Sequence, residues 1–558
     1  MARTELRLSA PEWLALGLFA LWAGLVLVFH PMTRDDTWFH LKSGEVLWRL
    51  GHFPSHDLFS YSSPLTTWPR MSWLYDLLAW GLWRWSGLGG LMAFNVLAAL
   101  GIFTLALGLA LEGGSGLPVA LALGSLMLWV SRVYFSLRPQ VAAYLCFMGA
   151  LWLLGRPRDR WRWLGILAVS LAWANLHGSV VILAPVVAAH EAGAWWRGGR
   201  ARPAGSTAAV AAALAGSLVN PDFAGIYFKV LGFLGSGSYY AHYVLEWRAP
   251  PLGSAYWLLA LAGGTWAAFT LARRPGRRGE AAVLLLLAAG SLGSMRLLAF
   301  FCLAAAAWMP RWVAVPDGRS RGAAWWPALL LGVELAFFPV HMALLAGRAT
   351  GMAVDREYCP IRCAEFLWRH PPKGRLGNLY EDGAYLLWRL YPRVKVFVDS
   401  RELNYPVSVL KDAAAIKRVE PGWRGILRKY GMSCFLVPRH DPDMGGSQAL
   451  AAGLMADPHW RLAYFDPDYL LFADKAELEA QKGAWPWYRG VDPLTGRVSG
   501  ADRNTVALLE ARMREQGPDA EGLQLLSQAL RQTGHAGAAR AAALLARRMD
   551  PKPDGPSQ

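Results

Sequence analysis

The dominant feature of this chain is a succession of long apolar stretches. The first, 11–30 (PEWLALGLFALWAGLVLVFH), is long enough to cross a bilayer as a helix, which takes ~20 apolar residues. Further apolar stretches run at about 72–88, 90–111, 117–133, 139–155, 161–175, 178–194, 207–220, 253–272, 280–295, 297–311 and 325–345. Composition agrees with them. Only 17% of the 558 residues are charged, and 54% belong to the apolar and aromatic set. A soluble globular chain carries about 25% charged residues. Disorder, collagen and a small disulfide scaffold are excluded, and a polytopic α-helical membrane protein remains. The 29 tryptophans suit membrane–water interfaces.

Arginine placement sets the topology. The net charge of +16 is mostly Arg in short loops, and Lys and Arg stay on the cytoplasmic side. Arg3 and Arg7 put the N-terminus inside. No small-residue cleavage site follows the first stretch, so it reads as an anchor. The clusters Arg156/Arg158/Arg160/Arg162, Arg197/Arg200/Arg202, Arg273/Arg274/Arg277/Arg278 and Arg311/Arg319/Arg321 all belong inside. Alternation reaches that arrangement only if one segment before 156 does not cross. The segment 72–88 is short and Trp-rich and carries Asp76 and Arg84, so it reads as an amphipathic helix lying in the interface. About eleven crossings follow.

The expected organisation is a transmembrane domain over 1–345, with a first outer loop at 31–89 and a second at 221–252. An extracytoplasmic α/β domain follows over 346–475, with a linker at 476–500 and a helical tail at 501–558. Lys395–Asp399, Cys434–Pro438 and Tyr469–Ala473 read as short buried strands, and Ala384–Leu390 and Ala413–Val419 as helices. In the tail, Leu523, Leu526 and Leu530 precede Gly534, Ala539, Ala546 and Pro551. That spacing is tetratricopeptide-like and suggests a protein partner; a hairpin capping the domain fits it equally. The five cysteines form no disulfide framework. Cys359 and Cys363, one helical turn apart, are expected as free thiols, because that spacing strains a disulfide.

Polar residues near the outer surface of such a chain need a reason, since ionisable groups are costly in the membrane. Arg34-Asp35-Asp36-Thr-Trp38-Phe-His40 follows the first crossing. Asp36 and His40 would share a helix face. A carboxylate there takes a proton from an acceptor hydroxyl or binds a cation, with a helix cap as the plainer role. Asp35 is the alternative member of the doublet. Gly51–Pro54 and His56–Ser62, with Trp68 and Trp73, suit a sugar platform, a lipid-facing lid or an interfacial anchor. Arg138-Pro139-Gln140 opens a crossing at an outer tip, where a guanidinium can hold a phosphate; Arg132, just before it, is the other basic residue there. Asn175-Leu-His177-Gly178 marks another tip, and His177 has no partner at zinc spacing. Glu246-Trp247-Arg248 and Met295-Arg296 complete the set.

Together these segments resemble the GT-C superfamily of membrane glycosyltransferases. That group includes the oligosaccharyltransferase catalytic subunit, protein O-mannosyltransferases and aminoarabinose transferases. Asp36-Thr-Trp-Phe-His40, Gly51–Ser60, Arg138-Pro-Gln140, Asn175–Gly178, Glu246-Trp247, Tyr380–Leu386 and Val398-Asp399-Ser-Arg401 are similar to segments of a bacterial branch of such proteins. The resemblance implies a GT-C-like fold in the inner membrane and a sugar donor on a polyisoprenyl phosphate. It implies Asp36 as the base, with Asp35 and His40 beside it. Arg138 and Arg296 would neutralise the leaving phosphate, and Gln140, Asn175, His177 and Glu246 would contact substrate. The second outer tip carries Arg138 and Gln140 where many members have an acidic residue, and no Asp-x-Asp motif lies near the first crossing. A divalent cation is therefore left open. The rival reading is a non-enzymatic scaffold for polysaccharide or envelope assembly. A transporter is disfavoured by the lack of two hydropathy repeats, and nucleic-acid binding by the membrane character.

Overall fold

The computed structural model describes residues 10–28, 36–64, 66–196, 203–235, 245–313, 332, 335, 359–401, 404–440 and 448–549. Two compact units emerge. One is Met1–His52 with Pro69–Val354, and the other is Phe53–Trp68 with Asp355–Gln558.

The first unit is a bundle of apolar helices: α1 (Ala10–Val28), α2 (Thr37–Leu50), α3 (Trp73–Glu112), α4 (Leu117–Ser131), α5 (Pro139–Leu154), α6 (Arg160–Leu176), α7 (Leu183–Trp195), α8 (Pro203–Ser217), α9 (Gly225–Gly235), α10 (Ala255–Arg273), α11 (Arg278–Gly293) and α12 (Leu298–Trp308). Among the described residues, Trp73–Glu112, Leu117–Tyr134, Gly178–Trp195 and Ala255–Arg273 are long and apolar enough to cross a membrane; Glu12–Leu25, Pro139–Leu154 and Gly205–Ser217 are shorter apolar helices. Most of the expected crossing at 325–345 lies outside the described residues.

The helix α3 joins the expected interfacial segment to the following crossing. Its 40 residues would measure about 60 Å if straight, twice the ~30 Å hydrocarbon thickness. The helix instead breaks at Ser86–Gly87, where Gly87 adopts φ 60° and ψ −145°. Only glycine takes that conformation without strain. The part before the break packs on α2, and a methyl group at Gly44 would lie 2.0 Å from the Asp76 carbonyl oxygen. Every residue of α12 is buried, and its run Ala304–Ala307 lets α3, α4 and α11 approach closely.

The loops sort to two ends. At one, Arg156 pairs with Glu112 (3.0 Å), Arg277 donates to the Gly113 carbonyl (2.8 Å) and Arg278 to that of Trp196 (2.9 Å). Glu280 takes Arg277 and Arg311. Buried Glu191 receives Arg158 (2.8 Å), Arg162 and Ser206 (2.6 Å). The arginines that carry the topology signal thus also staple helix ends together. The tips around 36, 134–138, 175–179, 246–248 and 294–296 gather at the other end. Beneath them Phe300 meets Tyr144 and Phe147, each 5.1 Å away edge-on, and stacks on Trp173 at 6.0 Å. Edge-on and offset contacts are what ring quadrupoles favour, and they give that end a firm floor.

The second unit contains α13 (Ile361–Arg369), β1 (Arg375–Gly377), α14 (Tyr380–Leu390), α15 (Val407–Lys417), α16 (Trp423–Lys429), β2 (Met432–Pro438), α17 (Ala449–Ala456), β3 (Trp460–Phe465), β4 (Tyr469–Asp474), α18 (Lys475–Ala480), the hairpin β5 (Val491–Asp492) and β6 (Arg497–Val498), and the helices α19 (Arg503–Gln516), α20 (Ala520–Gln532) and α21 (Ala536–Met549). The sheet order is β1-β2-β4-β3, with β1 parallel to β2 and the other pairs antiparallel.

Several sequence expectations change here. Val396–Asp399 is buried, with Lys395 exposed before it, and the segment is not a strand of this sheet. Val396 bonds to the first-loop segment, its N donating to Phe59 O (3.0 Å) and its O accepting from Tyr61 N (3.1 Å), while Asn378 accepts from Phe397 N and donates to Val398 O (both 2.8 Å). Residues 53–68, expected to stay with the transmembrane domain, belong to this unit. Phe59 and Trp68 are buried, 5.0 Å apart, so they form core and not an exposed sugar platform or lid. Asp57 reaches the buried Arg401 at 2.8 Å, which also holds Asp399. The expected linker contains β5–β6 and the buried Trp485 and Tyr488. The tail is no separate module, because Leu509, Leu525, Ala529 and Leu530 share one core with β2 and β4. All five cysteines are free thiols.

Candidate functional site

Four charged residues from four separate tips form a row in the first unit. Asp36 precedes α2 as its N-terminal cap residue, yet its side chain makes no capping hydrogen bond. It lies instead 3.4 Å from Arg138 Nε. Arg138 stands before Pro139, the first residue of α5, where proline's fixed φ suits a helix start. Arg138 Nη1 is 3.0 Å from Glu246 Oε1, and Glu246 Oε2 is 3.8 Å from Arg296 Nε. The Arg296 guanidinium also lies 4.5 Å over the Trp247 ring, a cation–π contact.

Backbone-directed hydrogen bonds hold these tips. Thr37 Oγ1 donates to Leu137 O (2.7 Å), tying the start of α2 to the Arg138 tip. Tyr134 Oη donates to Met295 O (2.8 Å). Ser294 Oγ donates to Glu246 O (3.2 Å) and Met295 N to Arg248 O (2.8 Å). The backbones are thereby fixed, while the four charged side chains keep 21–32% exposure and can meet a ligand.

Other expected site residues are placed differently. His40 does not join Asp36. Its Nδ1 lies 2.6 Å from Asp76 Oδ1, and both residues are buried. A helical turn aligns two residues but does not choose their partners, and α3 brings a nearer carboxylate. Asn175 acts as a strut: Oδ1 accepts from Trp73 Nε1 (2.8 Å), and Nδ2 donates to Leu171 O and Val219 O (both 2.8 Å). His177 caps the next turn, with Nδ1 accepting from Ser179 N (3.1 Å). Its place at the tip, outside the flanking helices, is near the row. Burial, then the charges of Arg296 and His40, push its pKa down to about 3, which keeps it neutral. Gln140 is the second residue of α5, and its Oε1 is buried without a hydrogen-bond donor among the described residues. Arg132 lies 4.0 Å over the Trp129 ring and donates to the Trp129 carbonyl, a local role. Asp35 lies outside the described residues. No cluster of three or more His, Cys, Asp or Glu able to hold a metal occurs among the described residues.

Asp76 and Tyr134 belong to this end without having been singled out for it by sequence. Asp76 carried one usable signal, a lone carboxylate in a Trp-rich apolar stretch. An open, mostly apolar groove of about 600 Å³ lies at this end, lined by residues that include Trp73, Leu171, Asn175, Val219 and Phe223.

Among solved structures, the chain is similar to the archaeal oligosaccharyltransferase AglB from Archaeoglobus fulgidus, in complex with an inhibitory peptide and a dolichol-phosphate. The TM-score is 0.52 at 12% identity, over 76% of this chain and 69% of that one. At that identity the likeness shows the fold alone. No protein-family model and no curated protein sequence matches the chain. The apolar helices, together with that likeness in fold, make this a membrane protein.

Proposed function

We propose that the chain is a membrane glycosyltransferase that moves a sugar from a polyisoprenyl-phosphate-linked donor to an acceptor. The reaction takes place on the outer face of the cytoplasmic membrane, with the N-terminus inside. One observation carries the reading: Asp36 is not spent as a helix cap, and it stands in a row with two arginines from two other tips. An acceptor hydroxyl is a poor nucleophile, and Asp36 is the base that takes its proton. A positioned base contributes about 10²–10⁴-fold. The leaving phosphate gains negative charge as the sugar departs, and Arg138 and Arg296 neutralise it, a task suited to forked guanidinium donors. His40 and Asp76 support the helix that carries Asp36, and Asn175 and His177 shape the adjoining wall. The similarity in fold to a transferase whose structure contains dolichol-phosphate supports a lipid-linked donor.

The deciding experiment is turnover of a polyisoprenyl-linked sugar in membranes, wild type against Asp36→Asn. Asn keeps size and much of the hydrogen bonding but removes basicity. Normal expression and melting with turnover near background is the expected result. Full turnover in both Asp36→Asn and Asp35→Asn would refute the catalytic reading of this loop.

A further inference from the structure

Glu246 stands where an anionic ligand would stand. One oxygen of its carboxylate is 3.0 Å from Arg138 and the other 3.8 Å from Arg296, so a single carboxylate spans guanidinium groups from two tips. Carboxylates and phosphates compete for the same guanidinium donors. Asp36 also reaches Arg138, at 3.4 Å, but Glu246 is the carboxylate that bridges both guanidinium groups and offsets their mutual repulsion. The glutamate backbone has little freedom: Ser294 donates to its carbonyl, and the neighbouring Arg248 carbonyl accepts from Met295 N. Its side chain, at 32% exposure, has room to turn.

We propose that Glu246 is a built-in stand-in for the donor phosphate. It holds Arg138 and Arg296 together while the site is empty, and it rotates away when a polyisoprenyl-linked phosphate takes its place. The inference rests on the proposed role of the two arginines as phosphate ligands. It adds a regulation of that site: binding must displace an internal anion, so the arginines are poised but not open to every passing anion.

The test is equilibrium binding to the full-length protein in detergent, with farnesyl phosphate and inorganic phosphate as separate probes. Glu246→Gln removes the competing charge. A stand-in that occupies the arginines about nine-tenths of the time weakens apparent affinity about tenfold, so the variant should bind farnesyl phosphate about tenfold more tightly. Inorganic phosphate should gain by a similar factor from a weaker starting point, because the competition is for the phosphate group while the lipid adds affinity of its own. Glu246→Asp keeps the charge with a shorter reach and should give a smaller gain. The gain should collapse when Glu246→Gln is combined with Arg138→Gln, since coupling between neighbours marks a shared interaction. Equal or weaker binding by Glu246→Gln at unchanged melting temperature overturns the proposal, as does a gain that persists without Arg138 and Arg296. If Arg138→Gln and Arg296→Gln each weaken binding while Glu246→Gln has no effect, only the stand-in role falls. If neither arginine matters, the phosphate reading falls with it.

Discussion

Removing Arg401 should cripple the second unit. Its guanidinium is buried and serves two carboxylates: Nη1 is 2.8 Å from Asp57 Oδ1, Nη2 is 2.6 Å from Asp399 Oδ2, and Nε is 2.7 Å from Asp399 Oδ1. Tyr405 Oη donates to Asp399 at 2.6 Å, and the guanidinium lies 4.9 Å over the Phe59 ring. Arg401→Met would strand both carboxylates in the core. Breaking a buried pair costs about 3–5 kcal/mol, a large share of an ordinary stability of about 5–15 kcal/mol. With a urea slope of about 2 kcal/mol per molar, the midpoint should fall by about 2 M. Buried thiols supply the assay. Cys359, Cys363 and Cys434 lie in this unit, while Cys146 and Cys302 lie in the other. Thiol labelling of the full chain across a urea series, read peptide by peptide, should show early exposure of the first three and little change in the other two. Acid gives a second arm. Burial raises the Asp57 pKa, but the Arg401 charge and hydrogen bonds from Arg401, Ser60 and Phe59 more than reverse this, so it lies below the usual carboxylate value. A depressed folded pKa stabilises above the unfolded value and loses that contribution as pH falls through the folded one. The gap between wild type and variant should therefore be full at pH 7 and shrink below about pH 4. A midpoint shift under about 0.3 M, or a gap that widens in acid, would refute the reasoning.

Two further substitutions test the bundle. Gly87→Ala meets nothing within 4 Å of the new methyl group, so its cost is backbone strain alone, about 1–3 kcal/mol; an unchanged melting temperature in detergent would mean the break in α3 is not held at that residue. Glu191→Gln strips the carboxylate shared by Arg158, Arg162 and Ser206 and should destabilise by about 3–5 kcal/mol in the same melt. A loss below about 1 kcal/mol would show that these arginines find other partners.

Much of the candidate site was legible because its residues stand out against an apolar background. Asp36, Arg138, Glu246 and Arg296 were each conspicuous as charges beside a crossing, and they meet in one row. The pairing of His40 with Asp76 was not legible, because helical spacing relates residues four apart, while the partner comes from another helix 36 positions on. Likewise Asn175 looked like a substrate contact, and three hydrogen bonds within the fold account for its polar atoms.

The sequence by itself determined the alternation of apolar stretches and basic loops, because crossing a bilayer demands a local property: about twenty consecutive apolar residues. It also marked β2, β4, α14 and α15, whose patterns are equally local. Only the tertiary structure decided that residues 53–68 fold into the second unit, that Lys395–Asp399 bonds to that segment and not to the sheet, and that the supposed linker and tail share a core with the strands. The physical reason is common to all three. A backbone group or a buried charge must find a partner, but any complementary group that the folded chain brings within about 3 Å will serve. Which one arrives is set by contacts hundreds of residues apart, as Asp57 and Arg401 illustrate across 344 positions.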